Sequence, residues 1–145
     1  MDIIFDVDGT LMDISHRRHF VEGTGKKDWK NFNAAMVRDT PNHAICEIAR
    51  NLKKQNHRIL ITTGRFETTR HLTEEQLYDA EIEYNELLMR PDNDHQNDAA
   101  LKQSMLIDLR RMGYTPMLAF DDRDRVVKMW REMGLGCCQV APGDF

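Results

Sequence analysis

The chain has 145 residues, 41% of them hydrophobic and 30% charged, with a formal net charge of −4. That length suits one domain with one core, and no apolar run reaches the ~18 residues that a membrane span requires. Its three cysteines, Cys46, Cys137 and Cys138, are odd in number and lack CxxC spacing, which argues against a disulfide framework or a structural zinc site; all three read as buried apolar filler.

In chain order, "DIIFDV" (residues 2–7) is apolar and β-branched and reads as a buried strand. It runs into "DGT", so Asp6 and Asp8 stand two residues apart where the strand ends. These acids interrupt the apolar start, no signal-peptide cleavage pattern follows, and a cytoplasmic location is expected. Residues 13–43 read as a small cap insert, too short for a second domain, with no strand over 13–40 and one helix over 28–38. Ile45, Ile48, Ala49 and Leu52 mark one face of the next helix. "RILITTGR" (58–65) is a second strand, ending in Thr63, Gly64 and Arg65. Thr73 followed by Gln76 fits a capping box and predicts a helix from there to about Glu83. "LLMR" (87–90) is a short strand that Pro91 ends. Leu101, Met105, Leu109 and Met112 predict a helix stopped by Gly113. "MLAFDD" (117–122) is a fourth strand, Val126, Val127, Trp130 and Met133 a last helix, and "CCQVA" (137–141) a fifth strand.

Strands alternating with helices predict a Rossmann-like α/β fold, a parallel sheet of about five strands with right-handed crossovers. Ligands of such sheets sit beyond the carboxyl ends of the strands. Asp6 and Asp8, then Thr63–Gly64–Arg65, then Asp121 and Asp122 all fall on that one edge. Four carboxylates on one rim repel each other unless a cation sits among them, and hard oxygen ligands point to Mg²⁺. Asp6 and Asp121 are candidate direct ligands, with Asp122 direct or through water. A cation so placed neutralises phosphate oxygens. Asp6 then suits a nucleophile that forms an aspartyl-phosphate. Asp8, its side chain kept off the metal, suits the acid/base that serves the leaving oxygen and then water. Gly9 permits the tight turn and leaves room for backbone N–H groups to face phosphate. Thr63 is placed to donate to a phosphate oxygen, and Lys102 to balance the charge of Asp6 and phosphate together.

This order of motifs resembles the haloacid dehalogenase (HAD) superfamily: "DVDGT" for its first motif, Thr63 for its second, Lys102 for its third, Asp121–Asp122 for its fourth. The resemblance implies Asp6 as nucleophile, Asp8 as acid/base with its carbonyl near Mg²⁺, and Gly9 and Thr10 beside the phosphate. Within that superfamily the chain is similar to the phosphatase domains of polynucleotide kinase/3′-phosphatases. "TTGRFE", "NDAALK" and "FDDRDRVVKMWREMGLGCCQVAPGDF" carry the similarity, which is weakest over 19–43. It implies Arg17, Arg65 and Asp98 as site residues and suggests a phage or bacterial origin. No GxxxxGK[ST] loop occurs in these residues, so only the phosphatase activity is implied.

Bland readings stand beside several of these. Arg65 and Arg17 also read as solvated bases, Lys102 as the polar face of its helix, and Asp98 as a helix N-cap, a site acid, or both. His16 and His19 lack an acidic partner at metal spacing. Trp29, Phe32 and Met36, at helical spacing, read as packing rather than as a base-stacking platform.

Charge is uneven: residues 14–38 hold six Lys/Arg against two Asp/Glu, and 66–98 hold two against ten. About six residues separate Pro91 from the next helix, which leaves no room for a large lid. A short cover and a basic insert suit a nucleic-acid end, with the acidic stretch facing away. The expected activity is Mg²⁺-dependent removal of a 3′-phosphate from DNA or RNA ends. The rivals are a phosphatase for free nucleotides or other small phosphomonoesters, and a non-catalytic phospho-switch.

Overall fold

A computed structural model describes residues 1–145. Strand β1 (Asp2–Phe5) is buried at every position, as its apolar run requires, and forms the middle of the sheet. After it come β2 (Met12–Asp13), a 3-10 turn (Arg18–Phe20), α1 (Trp29–Ala34), a second 3-10 turn (Ala35–Arg38), β3 (Thr40–Pro41) and α2 (His43–Lys54). The rest alternates: β4 (Arg58–Phe66), a 3-10 turn (Glu67–Thr69), α3 (Arg70–Asp79), β5 (Glu86–Arg90), α4 (Asp98–Arg111), β6 (Pro116–Asp121), α5 (Asp124–Glu132) and β7 (Gly136–Gln139).

The main sheet has the order β5-β4-β1-β6-β7 and is parallel throughout. This is the expected five-stranded Rossmann-like arrangement. Alternate residues of β1 feed two cores. Ile3 and Phe5 pack with Ile59, Ile61, Cys46, Ala49 and Leu77 on the side of α2 and α3. Ile4 packs with Leu60, Ala119, Leu106, Leu109 and Trp130 on the side of α4 and α5. The chain builds outward from β1 to β5 and then returns to β1's other side as β6, so the strand order reverses between β1 and β6. A crevice opens at such a switch point. Phe5 and Phe120 are register partners there, with rings stacked 4.6 Å apart at an interplanar angle of 1°.

The insert differs in detail from the sequence reading. Its ends pair as a two-stranded antiparallel ladder, Met12 with Pro41 and Asp13 with Thr40, so the stretch is not free of strand. The helix expected over 28–38 is α1 followed by the tighter turn at 35–38, and Ile14, Val21 and Phe32 form a separate small core beneath it. Strand limits shift by a residue or two. Helix α3 begins at Arg70 and ends at Asp79, three residues before the expected start and four before the expected end. Thr73 therefore lies inside the helix and caps nothing. Cys46 is buried, but Cys137 is half-buried and Cys138 exposed, because β7 is an edge strand. No helix is long and apolar enough to cross a membrane.

Candidate active site

The pairing of β1 with β6 delivers Asp6 and Asp121 side by side, each one residue beyond a stacked phenylalanine. Helix α4 packs on the sheet face that Ile4, Leu60 and Ala119 serve and inserts Lys102, buried, between them. Its ammonium donates to Asp6 Oδ1 at 2.6 Å and to Asp121 Oδ2 at 2.8 Å. Asp121 is fully partnered: Trp130 Nε1 also donates to Oδ2 at 3.1 Å, and the amides of Asp122 and Arg123 donate to Oδ1. Trp130 is core, as its periodicity predicted, and its indole N–H also holds a site carboxylate. Thr10 is buried and donates to Asp6 Oδ2 at 3.1 Å.

Carboxylate oxygens of Asp6, Asp121 and Asp122 lie within 4.8 Å of one another. Asp122 Oδ2 is buried and has no hydrogen-bond partner. The turn at Gly9, with φ +82°, faces it so closely that a Cβ there would lie 2.1 Å from that oxygen. Burial pushes the Asp122 carboxyl up to about 7, with Asp121 adding to the rise. Burial also holds Asp6 well above the ordinary range; Lys102 opposes the shift, while Asp121 and Asp122 reinforce it. A buried set of oxygens with one orphan and excess negative charge fits a small hard divalent cation such as Mg²⁺.

Asp8 is kept apart from this cluster. Its Oδ1 accepts from Arg17 Nη2 at 2.8 Å and from Arg65 Nε and Nη2 at 3.0 and 2.8 Å. Burial alone would raise its carboxyl, but Arg65 and Arg17 outweigh burial and hold it below the ordinary range. Both arginines also bind Asp39, a buried acid at the end of the insert, Arg17 at 2.7 and 2.5 Å and Arg65 at 3.0 Å. Arg65 is anchored further by Thr73 Oγ1 (3.1 Å) and Gln76 Oε1 (2.7 Å), the two residues whose spacing mimics a capping box. His16, which has no acid at metal spacing in the sequence, meets Asp39 at 2.8 Å.

Asp98 opens α4, but the N-cap is Asn97, whose side chain accepts from Ala100 N at 3.0 Å. The Asp98 carboxylate is instead gripped by Arg90 Nη2 at 2.6 Å and by Arg123 Nη1. Arg90, buried, also donates to the carbonyl of Gly64 at 3.1 Å. Gly64 sits against this pair, with Asp98 Oδ1 3.3 Å from where its Cβ would stand.

One cleft of about 530 Å³ joins these groups. It is lined by Asp6, Asp8, Lys102, Asp121 and Asp122, by Gly64, Arg65, Arg90, Asp98 and Arg123, and by Lys27, Trp29 and Phe32 of the insert. Arg17 and Thr63 are buried and do not line it. Thr63 Oγ1 accepts the Arg65 amide at 3.1 Å. The expected separation of charge holds only in part: Lys27 reaches the cleft, but so do Asp94 and Asp98 of the acidic stretch, each paired with Arg90. Asp39 and Arg90 carry no site signal in the sequence: Asp39 meets Arg17 and Arg65 from 22 and 26 residues away, and Arg90 meets Asp98 only because the turn after β5 brings the start of α4 back to it. Gln76 is marked by its spacing from Thr73, but as a cap rather than as a partner of Arg65.

A family model described as the polynucleotide kinase PNKP phosphatase domain matches residues 1–145. Among solved structures, the chain is 30% identical to a protein in the "Pnkp1/Rnl/Hen1 complex", with a TM-score of 0.83, covering 99% of this chain and 47% of that one. A second, in the "Pnkp1/Rnl/Hen1 RNA repair complex", is also 30% identical, with a TM-score of 0.80 and coverage of 99% and 43%. The chain thus spans about half the length of these relatives or less. A putative β-phosphoglucomutase from Thermotoga maritima shares the fold at 17% identity and a TM-score of 0.61, covering 92% of this chain and 82% of that one.

Proposed function

Because the chain belongs to the family of PNKP phosphatase domains, we propose that it removes 3′-phosphate groups from nucleic-acid ends through a covalent phosphate on Asp6, with Mg²⁺. The observation that carries this is the division of labour between two acids in one cleft. Asp6 is bound into an ion cluster by Lys102, and Asp8 is held outside that cluster by Arg65 and Arg17.

Asp6, Asp121 and Asp122 would hold the cation, which supplies charge neutralisation for the phosphate oxygens. An Asp6 carboxylate oxygen attacks phosphorus as the bond to the 3′-oxygen breaks, and Asp8 gives that oxygen its proton. Asp8 then takes a proton from water, which attacks the phosphorus of the acyl phosphate. Inorganic phosphate leaves, and Asp6 is regenerated. Asp8 is ionised in the free site because two guanidiniums face it. A phosphate entering the cleft brings negative charge beside Asp8 and competes for Arg65, and both effects favour the proton that the first step spends. Arg17, buried below the cleft, fixes Asp8 in place.

Nucleic acid is favoured over small esters by family membership and by the open cleft with Lys27, Arg123 and Arg125 along it. The relative described in an RNA repair complex supports RNA ends beside DNA ends. The test is a panel of 3′-phosphorylated oligonucleotides, 5′-phosphorylated oligonucleotides and nucleoside 3′-monophosphates. The expected result is a preference for 3′-phosphorylated oligonucleotides that weakens as salt rises; rates independent of chain length would leave the small-phosphomonoester reading instead. Asp6→Asn abolishes turnover. Asp8→Asn slows it by about 10²–10⁴-fold and traps acid-stable radiolabel from a ³²P-phosphorylated substrate.

A further inference from the structure

Trp29 does not behave as the packing residue that its spacing suggests. Phe32 and Met36 of the same stripe are buried, but Trp29, the first residue of α1, is 42% exposed and lines the cleft. Its position is fixed from below: Asp28 caps α1 by accepting Asn31 N at 3.1 Å, and the Trp29 ring meets Phe32 edge to face, with centroids 5.5 Å apart at 89°. Two cations flank it, Lys27 at 5.6 Å and Arg123 at 5.8 Å from the ring centroid. Arg123 directly follows Asp122 in the chain, so the indole stands beside the loop that carries the cation cluster.

We propose that Trp29 is a stacking platform for a nucleobase at the phosphorylated end of the substrate strand, with Lys27 and Arg123 serving the flanking backbone phosphates. The inference rests on the 3′-end reading above and adds a specificity-determining residue to it. A rigid aromatic at a polar cleft mouth offers every base its π-face, and therefore binds ends without reading sequence. Its contribution is to substrate binding, so it acts chiefly on KM.

The test compares wild type, Trp29→Ala and Trp29→Phe on a 3′-phosphorylated oligonucleotide and on the same strands with an abasic residue at the terminal or penultimate position. Wild type should favour the base-bearing strand over one of the abasic strands by roughly 10-fold or more in kcat/KM. That ratio should collapse in Trp29→Ala, mainly through KM, and survive largely in Trp29→Phe. Nucleoside 3′-monophosphate should quench the tryptophan fluorescence of wild type and not of Trp29→Phe, whose remaining Trp130 is buried. A ratio unchanged in Trp29→Ala, or an equal loss on all strands, overturns the platform while the 3′-phosphatase reading stands. Wild type that hydrolyses no 3′-phosphorylated strand removes both.

Discussion

Gly9 is specified twice over, by a φ of +82° and by the carboxylate of Asp122 where a Cβ would have to go. The left-handed backbone alone costs Ala about 1–2 kcal/mol, and the collision falls on a flexible carboxylate that would move off the cation cluster. Gly9→Ala is therefore expected to lower the melting temperature modestly and turnover by about two orders of magnitude or more; a variant with wild-type turnover would show that Asp122 need not stay where it is. Asp39 has a comparable role one layer out. It is the counter-ion shared by Arg17 and Arg65, and without it two buried guanidiniums would have only Asp8 for charge.

Among elements, α4 matters most, because it carries Lys102 into the space between β1 and β6. Its start is set by the Asn97 side chain. Asn97→Ala should cost about 1 kcal/mol, read as a lower urea midpoint at unchanged m; an unmoved midpoint would mean that the helix is held by its packed face alone. The main elements, and the gathering of Asp6, Asp8, Asp121 and Asp122 at one sheet edge, were legible because each depends on local signals: an apolar run, a helical stripe, an acid at a strand end. Lys102 lies off the stripe of its helix and was marked by the order of motifs instead. What failed was equally local. Thr73 and Gln76 have the spacing of a capping box, but their oxygens face Arg65, and that use is visible only once β4 and α3 are packed. Helical spacing placed Phe32 and Met36 correctly and misplaced Trp29, since the first residue of a short helix is free to turn to the cleft. Buried charges such as Asp39 and Arg90 have no sequence mark, because their partners are brought by other elements.

For the molecule as a whole, a cation held by the acid cluster, as proposed above, would make stability depend on pH and cation together. A group such as Asp122, at about 7 in the fold against 3.8 in the unfolded chain, binds its proton more tightly when folded. Its effect on stability therefore becomes less favourable as pH rises from about 4 through 7. On the function proposed above, a divalent cation would replace that proton. The Mg²⁺-minus-EDTA difference in melting temperature should be small at pH 5 and reach about 5–10 °C at pH 8 with cation at about 100 times its Kd; a difference independent of pH would separate cation binding from these carboxylates. The stacked rings of Phe5 and Phe120 give this a mechanical side. Together with the strand register and the Lys102 ammonium between Asp6 and Asp121, they hold the acids at a fixed spacing, so a cation entering there would find the site already assembled. Part of the affinity for a metal bound there would thus be set in the hydrocarbon interior, by two side chains that donate no ligand, and sequence drift at those rings would retune the site without touching its chemistry.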